Sequence, residues 1–172
     1  NHWMVYMVVL LATFVIPVFA TTKFVSKYLV SFERIDGGSM YPSFKPGDIA
    51  LVDTSGYLAS SPDRGELVLV RDPETGDPHL LRVVAVAHDI MRVEGAQVFV
   101  NESPLHRTEL DKDSPKAEIG DLLAYVETNN GQHYVISVSP TAFIANNLSN
   151  TQLKEDEFFL MADNRSQVPT AS

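Results

Sequence analysis

No cysteine occurs among the 172 residues, which excludes a disulfide framework, a thiolate nucleophile and a cysteine-ligated metal site, although it does not identify a compartment. Basic residues are scarce as well. Thirteen Lys and Arg stand against 22 Asp and Glu, a formal net charge of −9, and this argues against nucleic-acid binding, which needs a basic patch on the bound face. There is no internal repeat and no low-complexity tract: ten prolines and nine glycines are scattered without a period, as in a turn-rich fold. At this length one core plus an appendage is expected, since domains usually run to about 100–150 residues. The first residue is Asn1 rather than Met, so further chain is expected before it.

Residues 3–20 carry no charge and almost no polar group, and Thr21, Thr22 and Lys23 close the run. Spanning helices need about 17–25 mostly apolar residues, and the kink expected at Pro17 is tolerated inside membranes. The expected organisation is therefore a membrane anchor helix over residues 1–23 and a β domain over 24–172. A cleavable signal segment competes, because Val18-Phe19-Ala20 has a small-residue cleavage pattern. Against it, the run exceeds the usual apolar region of about 7–15 residues and no basic segment precedes it. A buried core helix is the third reading. Lys23, Lys27 and Arg34 come after the run while only His2 precedes it; taken literally, the positive-inside rule would leave the remainder of the chain in the cytoplasm.

Beyond the run, residues 29–35 alternate as a half-buried strand should. Residues 54–64 read as a loop, 65–70 as a strand, and 72–78 as a turn. Residues 79–87, His-Leu-Leu-Arg-Val-Val-Ala-Val-Ala, are the most apolar strand after the first run and are expected to be buried. A hairpin-like segment at 91–101 comes next. Residues 102–120, charged and proline-punctuated, are expected to form an exposed excursion. Strands at 122–127 and 132–138 flank Thr128-Asn129-Asn130-Gly131, whose Asn-Gly is a strong hairpin signal. Residues 146–156 are polar, and a last short strand at 158–161 runs into Ala162-Asp163-Asn164-Arg165. Short strands at close spacing with turns between them indicate an all-β domain.

The most informative stretch is residues 35–53, Ile-Asp-Gly-Gly-Ser-Met-Tyr-Pro-Ser-Phe-Lys-Pro-Gly-Asp-Ile-Ala-Leu-Val-Asp. Gly37 and Gly38 are expected to give the backbone conformations barred to other residues, and Pro42 and Pro46 to stiffen the chain after the serine. The Ser39 hydroxyl would then sit on a rigid loop ahead of a strand. On its own, that pattern also fits an ordinary turn.

Ser39-Met40-Tyr41-Pro42, with Pro46-Gly47-Asp48 and a strand after it, resembles the nucleophile region of the type I signal peptidases, membrane-bound serine proteases that trim exported proteins. Further blocks match in order: Arg82-Val83-Val84, Val98-Phe99-Val100-Asn101 and Asp163-Asn164-Arg165. The resemblance implies a mainly β fold, a signal-peptidase-like antiparallel β domain with an N-terminal transmembrane helix. It implies Ser39 as nucleophile, Gly37, Gly38, Met40 and Pro42 against the substrate, and the Asp163-Asn164-Arg165 block with Arg82 bordering the site; the plainer reading of that block is a structural Asp-Asn turn with a surface arginine. It also implies no cofactor and no metal.

Members of that family use a Ser/Lys dyad. Serine is a weak nucleophile that needs a neighbouring base, and a lysine serves only where burial lowers its pKa. The family sets this lysine directly before the arginine of the apolar strand; here that position is Leu81, which accepts no proton. Endoplasmic-reticulum and archaeal relatives use histidine instead, which makes His79 the substitute candidate. His79 is two residues from Leu81 and so on the same face, but displaced by about 6–7 Å, and a histidine at a strand start is more often solvated. His88, His106 and His133 lie in or near expected turns and have no motif support.

Other departures accumulate. Gly37 stands where the family has an oxyanion-hole serine, and loss of one such donor typically costs about a hundredfold to a thousandfold in rate. The backbone N–H of Ser39 remains. The C-terminal acid of the family is absent from residues 166–172, and Ala162 replaces a glycine. Arg82, set among apolar residues, needs a carboxylate, and Asp163 is the expected one.

These residues support two functional expectations. One is a catalytically impaired signal-peptidase-like protein of the export and processing machinery, acting as a non-catalytic or structural subunit. The other is an active serine endopeptidase using an unconventional base. An adhesion or carrier module is a distant third. The implied partners are a membrane, signal peptides of precursors and subunits of a membrane complex, with no nucleic acid. The implied setting is a bacterial or mitochondrial inner membrane, with the β domain on the trans side.

Overall fold

The computed structural model describes residues 2–58, 60–95, 97–111, 114, 122–139 and 147–166. Two compact units are present, one formed by residues 1–33 and 49–60, the other by residues 34–48 and 61–172.

The first unit begins with helix α1 (His2–Tyr28), which continues five residues past Lys23, where the anchor was expected to end. Its segment His2–Lys23 is long and apolar enough to cross a membrane, and none of it is buried in the protein. These 22 residues rise about 33 Å at 1.5 Å per residue, close to a hydrocarbon core of about 30 Å. Its threonine hydroxyls are satisfied internally: those of Thr13, Thr21 and Thr22 donate to the carbonyls of Val9, Val18 and Phe19 at 2.7, 2.9 and 3.0 Å, as apolar surroundings require.

Strands β1 (Val30–Arg34) and β2 (Ile49–Asp53) form a two-stranded sheet. The bonds Thr54 N–H to Leu29 O (3.0 Å) and Ile35 N–H to Asp48 O (2.9 Å) set Phe32 opposite Leu51. Amphipathy here is inverted. Phe32, Ile49 and Leu51 share one face and are 74%, 68% and 65% exposed, whereas Ala50 on the other face is 7% exposed.

The second unit is strand-rich, with sheets ordered β12-β4-β3, β11-β5-β6-β7 and β10-β9-β8. In the first, β4 (Pro78–Ala85) lies between β3 (Leu67–Arg71) and β12 (Phe159–Met161), antiparallel to both. Burial rises along β4 from exposed His79 to Val83, Val84 and Ala85 at 0%, as its apolar sequence requires. The core joins Val84 and Ala85 to Met91, Val93, Val98, Val100, Leu105, Leu153 and Met161.

The second sheet contains β5 (Ile90–Glu94), β6 (Gln97–Val100), β7 (Ser103–Pro104) and β11 (Leu148–Gln152); the third contains β8 (His106–Glu109), β9 (Leu123–Asn129) and β10 (Gln132–Val138). The Asn-Gly signal marks a tight hairpin, with Asn130 and Gly131 at φ 48° and 78°. Strand β9 absorbs Thr128 and Asn129, which the sequence pattern places in the turn. The expected excursion at 102–120 is corrected in its first half: Ser103–Pro104 pairs with β6 and His106–Glu109 with β9. Its charges concealed a strand because Arg107 faces Glu127 across the ladder and is neutralised there. Residues 112–113 and 115–120 lie outside the described residues. The polar stretch at 146–156 likewise contains β11, paired with β5 through an irregular register, and Asn146 is outside the described residues.

Candidate active site

Residues 35–48 are folded by their own backbone. Tyr41 N–H donates to Gly38 O (3.2 Å), Phe44 N–H to Met40 O (2.9 Å) and Gly47 N–H to Ile35 O (2.7 Å). The Asp48 carboxylate accepts Lys45 N–H at 2.8 Å, and Gly47 takes φ 94°, which accounts for Pro46-Gly47-Asp48. The Tyr41–Pro42 peptide bond is cis. Gly37 and Gly38 correct the sequence reading: neither has positive φ, and an added Cβ at Gly38 would meet nothing within 4 Å. The loop around Ser39 is therefore shaped by hydrogen bonds, and glycine freedom is used at Gly47 rather than at Gly37 or Gly38. Met40 is 1% exposed and Pro42 is buried. Of the four residues expected to face substrate, only Gly37 and Gly38 are open to solvent.

The block Asp163-Asn164-Arg165 holds this loop from the far end of the chain. Asn164 N–H donates to Ser39 O at 2.8 Å, and Asn164 Nδ2 donates to Gly38 O at 3.2 Å. One residue earlier, the Ser43 hydroxyl bonds Asp163 Oδ2. Ser137 of β10 ties the two together, its N–H donating to Asp163 O (2.9 Å) and its hydroxyl to Tyr41 O (2.9 Å).

Arg82 meets its expected carboxylate, Asp163, through a buried two-pronged bridge. Nε donates to Oδ1 at 2.7 Å and Nη2 to Oδ2 at 2.6 Å. Nη1 donates to Gly65 O at 2.7 Å, and the guanidinium lies 4.1 Å from the Tyr134 ring centroid. Gly65 is required by space: at φ 91°, an added Cβ would lie 2.7 Å from Gln132 Cβ. Such bidentate, charge-assisted bonds are the strong ones, and they fix β4 to the chain end beside the serine loop.

Behind this bridge is a second buried set, in which Arg165 meets Glu127, a residue the sequence did not single out. Glu127 and Arg165 are 0% and 1% exposed. Glu127 Oε1 accepts Tyr134 OH (2.9 Å) and Arg165 Nη2 (2.7 Å), while Oε2 accepts Arg107 Nε (2.8 Å). Burial pushes the Glu127 acid upward, but the charges of Arg165 and Arg107 and the Tyr134 hydroxyl outweigh it, so its pKa lies below the ordinary value. Burial, then the Glu127 charge, pushes the Tyr134 phenol well up.

Ser39 is half-buried. Among the described residues it forms hydrogen bonds through its carbonyl, and none through its hydroxyl. Leu81 is half-buried, pairs with Val68 and, by strand alternation, faces away from the Arg82 side. His79 is exposed at the start of β4, opposite Val70. His88, His106 and His133 are exposed too, the last bonded to the Thr128 hydroxyl at 2.9 Å. The structure thus brings together Gly38, Ser39, Ser43, Arg82, Asp163 and Asn164, and no described histidine or lysine nitrogen is bonded to the serine hydroxyl. Residues 167–172, from which the family's acid is missing, lie outside the described residues.

This scaffold, a serine loop clamped by an Asp-Asn-Arg block against an arginine-bearing strand, belongs to a serine-peptidase β fold. The family model described as signal peptidase, peptidase S26 matches residues 3–167, and the chain belongs to that family. A similar protein is signal peptidase I U of Bacillus subtilis (strain 168), 24% identical over 108 residues, which cover 59% of this chain and 57% of that protein. The matched region thus spans little more than half of the relative's length.

Proposed function

We propose that this chain is a membrane-anchored, signal-peptidase-like component of the protein export and processing machinery in which proteolysis is impaired, and that it serves as a non-catalytic or structural subunit. The observation that carries this reading is a formed serine loop without a base: the Ser39 hydroxyl has no hydrogen-bond partner among the described residues, and the lysine position is Leu81. Catalysis by serine needs a group to take its proton, normally at about 2.6–3.2 Å. The intact clamp from Asn164 and Asp163 supports retention of the site's shape, and with it a capacity to hold the signal peptide of a precursor.

The apolar segment His2–Lys23 and the outward Phe32, Ile49 and Leu51 support residues 1–23 as a single-pass membrane anchor and residues 24–172 as the β domain, while the family alone, against the charges of Lys23, Lys27 and Arg34, favours the trans side of an inner membrane for that domain. Membrane-complex subunits are the partner class for such a protein. The competing reading, an active endopeptidase using His79, rests on the same intact loop and requires an exposed imidazole to reach Ser39.

Leu81→Lys discriminates between them. Under the proposal the missing proton acceptor is the decisive loss beside the oxyanion hydroxyl and the C-terminal acid, so this variant gains precursor cleavage that Ser39→Ala abolishes, while the unsubstituted chain binds precursor without cutting it. Cleavage by the unsubstituted chain that His79→Ala removes would establish the competing reading.

A further inference from the structure

We propose that Glu127 is a positioning residue for the Ser39 loop, acting through Arg165 and Asn164. The path is short and continuous. Glu127 Oε1 accepts Arg165 Nη2 at 2.7 Å. Arg165 N–H donates to Ser137 O at 2.8 Å, and the preceding residue, Asn164, donates its N–H to Ser39 O at 2.8 Å. Asn164 and Ser137 form a parallel bridge, so turning the Arg165 side chain moves the peptide that holds Ser39.

Charge makes the arrangement directional. Arg107 and Arg165 both converge on Glu127, the carboxylate they share, Arg107 Nη2 lying 2.8 Å from Oε2, and Arg165 Nε is buried without a hydrogen-bond acceptor among the described residues. A buried guanidinium left without its carboxylate is unfavourable and drives rearrangement. Loss of the Glu127 charge therefore strands both guanidiniums, and of the two the more deeply buried, Arg165, is next to the clamp. The same carboxylate orients Tyr134, whose ring lies against Arg82, so one side chain on β9 supports both halves of the Ser39 surroundings. The clamp operates whether or not Ser39 is a working nucleophile.

Hydrogen exchange of the full chain in lipid nanodiscs tests this, read by mass spectrometry on peptides covering 160–166 and 36–45, with 90–101 as reference. Glu127→Gln is expected to speed exchange at Asn164 and in the loop at least tenfold while leaving Asn101, whose N–H bonds Ile90 O at 2.7 Å, unchanged. Arg107→Gln, which spares the Glu127–Arg165 pair, is expected to leave Asn164 protected. Should Glu127→Gln fail to fold, Glu127→Gln with Arg165→Met removes the link and a buried positive charge together, with the same local loss expected. Uniform acceleration across all three peptides would reduce Glu127 to general stability, and unchanged protection at Asn164 would remove it from the clamp. Either result overturns the proposal.

Discussion

Asn164 and Ser39 are joined by a 2.8 Å bond from the amide of one to the carbonyl of the other, so the Asp-Asn-Arg turn fixes the candidate nucleophile through its backbone, while its hydroxyl has no partner among the described residues. Presentation of the serine is thereby separated from its activation. The first depends on the Asp163-Asn164-Arg165 block, the second on a base that position 81 does not supply.

The bridge between Arg82 and Asp163 is the strongest structural dependence in the site. Both side chains are almost fully buried, at 7% and 0% exposure, so removing one strands the other. Asp163→Ala is expected to destabilise the protein by about 3–5 kcal/mol, measured by denaturant unfolding in detergent. A loss below about 1 kcal/mol would show that the pair is not sustaining the fold.

Gly37 offers the converse case. Its φ is not in the left-handed region, and an added Cβ would come no nearer than 4.0 Å to Ser39 N. Gly37→Ser, which restores an oxyanion-type hydroxyl, is therefore expected to change stability by less than about 0.5 kcal/mol, as ordinary surface substitutions do. A larger loss would mean that the loop needs glycine there after all.

Stability should fall in acid through the buried carboxylates. The Glu127 acid lies below its ordinary value. So does Asp89, where burial acts upward but the Arg64 guanidinium, the Val86 N–H and Asn101 prevail. A lowered folded-state pKa means that the unfolded chain takes up protons first, so the contribution is complete above the unfolded value of about 4 and is lost as pH drops through the folded value. Tm against pH should be level from about 7 to 5 and decline below about 4. In Glu127→Gln the decline should be shallower, and an identical profile would contradict the assignment.

The inverted hairpin can be followed directly because the chain has no cysteine. Large exposed apolar clusters on a folded surface mark interaction sites, and the strand that carries Phe32 starts two residues after α1 ends. Cysteines at Phe32 and Leu51 carrying an environment-sensitive fluorophore should shift to the blue and be quenched by lipid-borne quenchers in phosphatidylglycerol–phosphatidylethanolamine vesicles. A label at exposed Asp77 should do neither. Behaviour at 32 and 51 matching that at 77 would dissociate the face from the bilayer.

Much of this was legible in the residue order, for identifiable reasons. Asn130-Gly131 announces its hairpin because few residues tolerate the backbone it needs. Arg82 announces Asp163 because an arginine among valines requires a carboxylate. Strand β8 was hidden because both its faces are polar, and β11 because Leu148 is its one apolar residue; the charge of Arg107 is cancelled by a residue 20 positions away. Glu127, Ser43 and Ser137 were missed for the same reason: each looks solvated until register brings its partner across. Gly37 and Gly38 misled, since a glycine pair permits unusual backbone without proving it is used.

The central claim is that Ser39 is presented but not activated. The most direct measurement is cleavage of a signal-peptide-bearing precursor by the full chain in membranes, with Ser39→Ala run in parallel. The account predicts that the two give the same background. Cleavage by the unsubstituted chain that disappears in Ser39→Ala would contradict it.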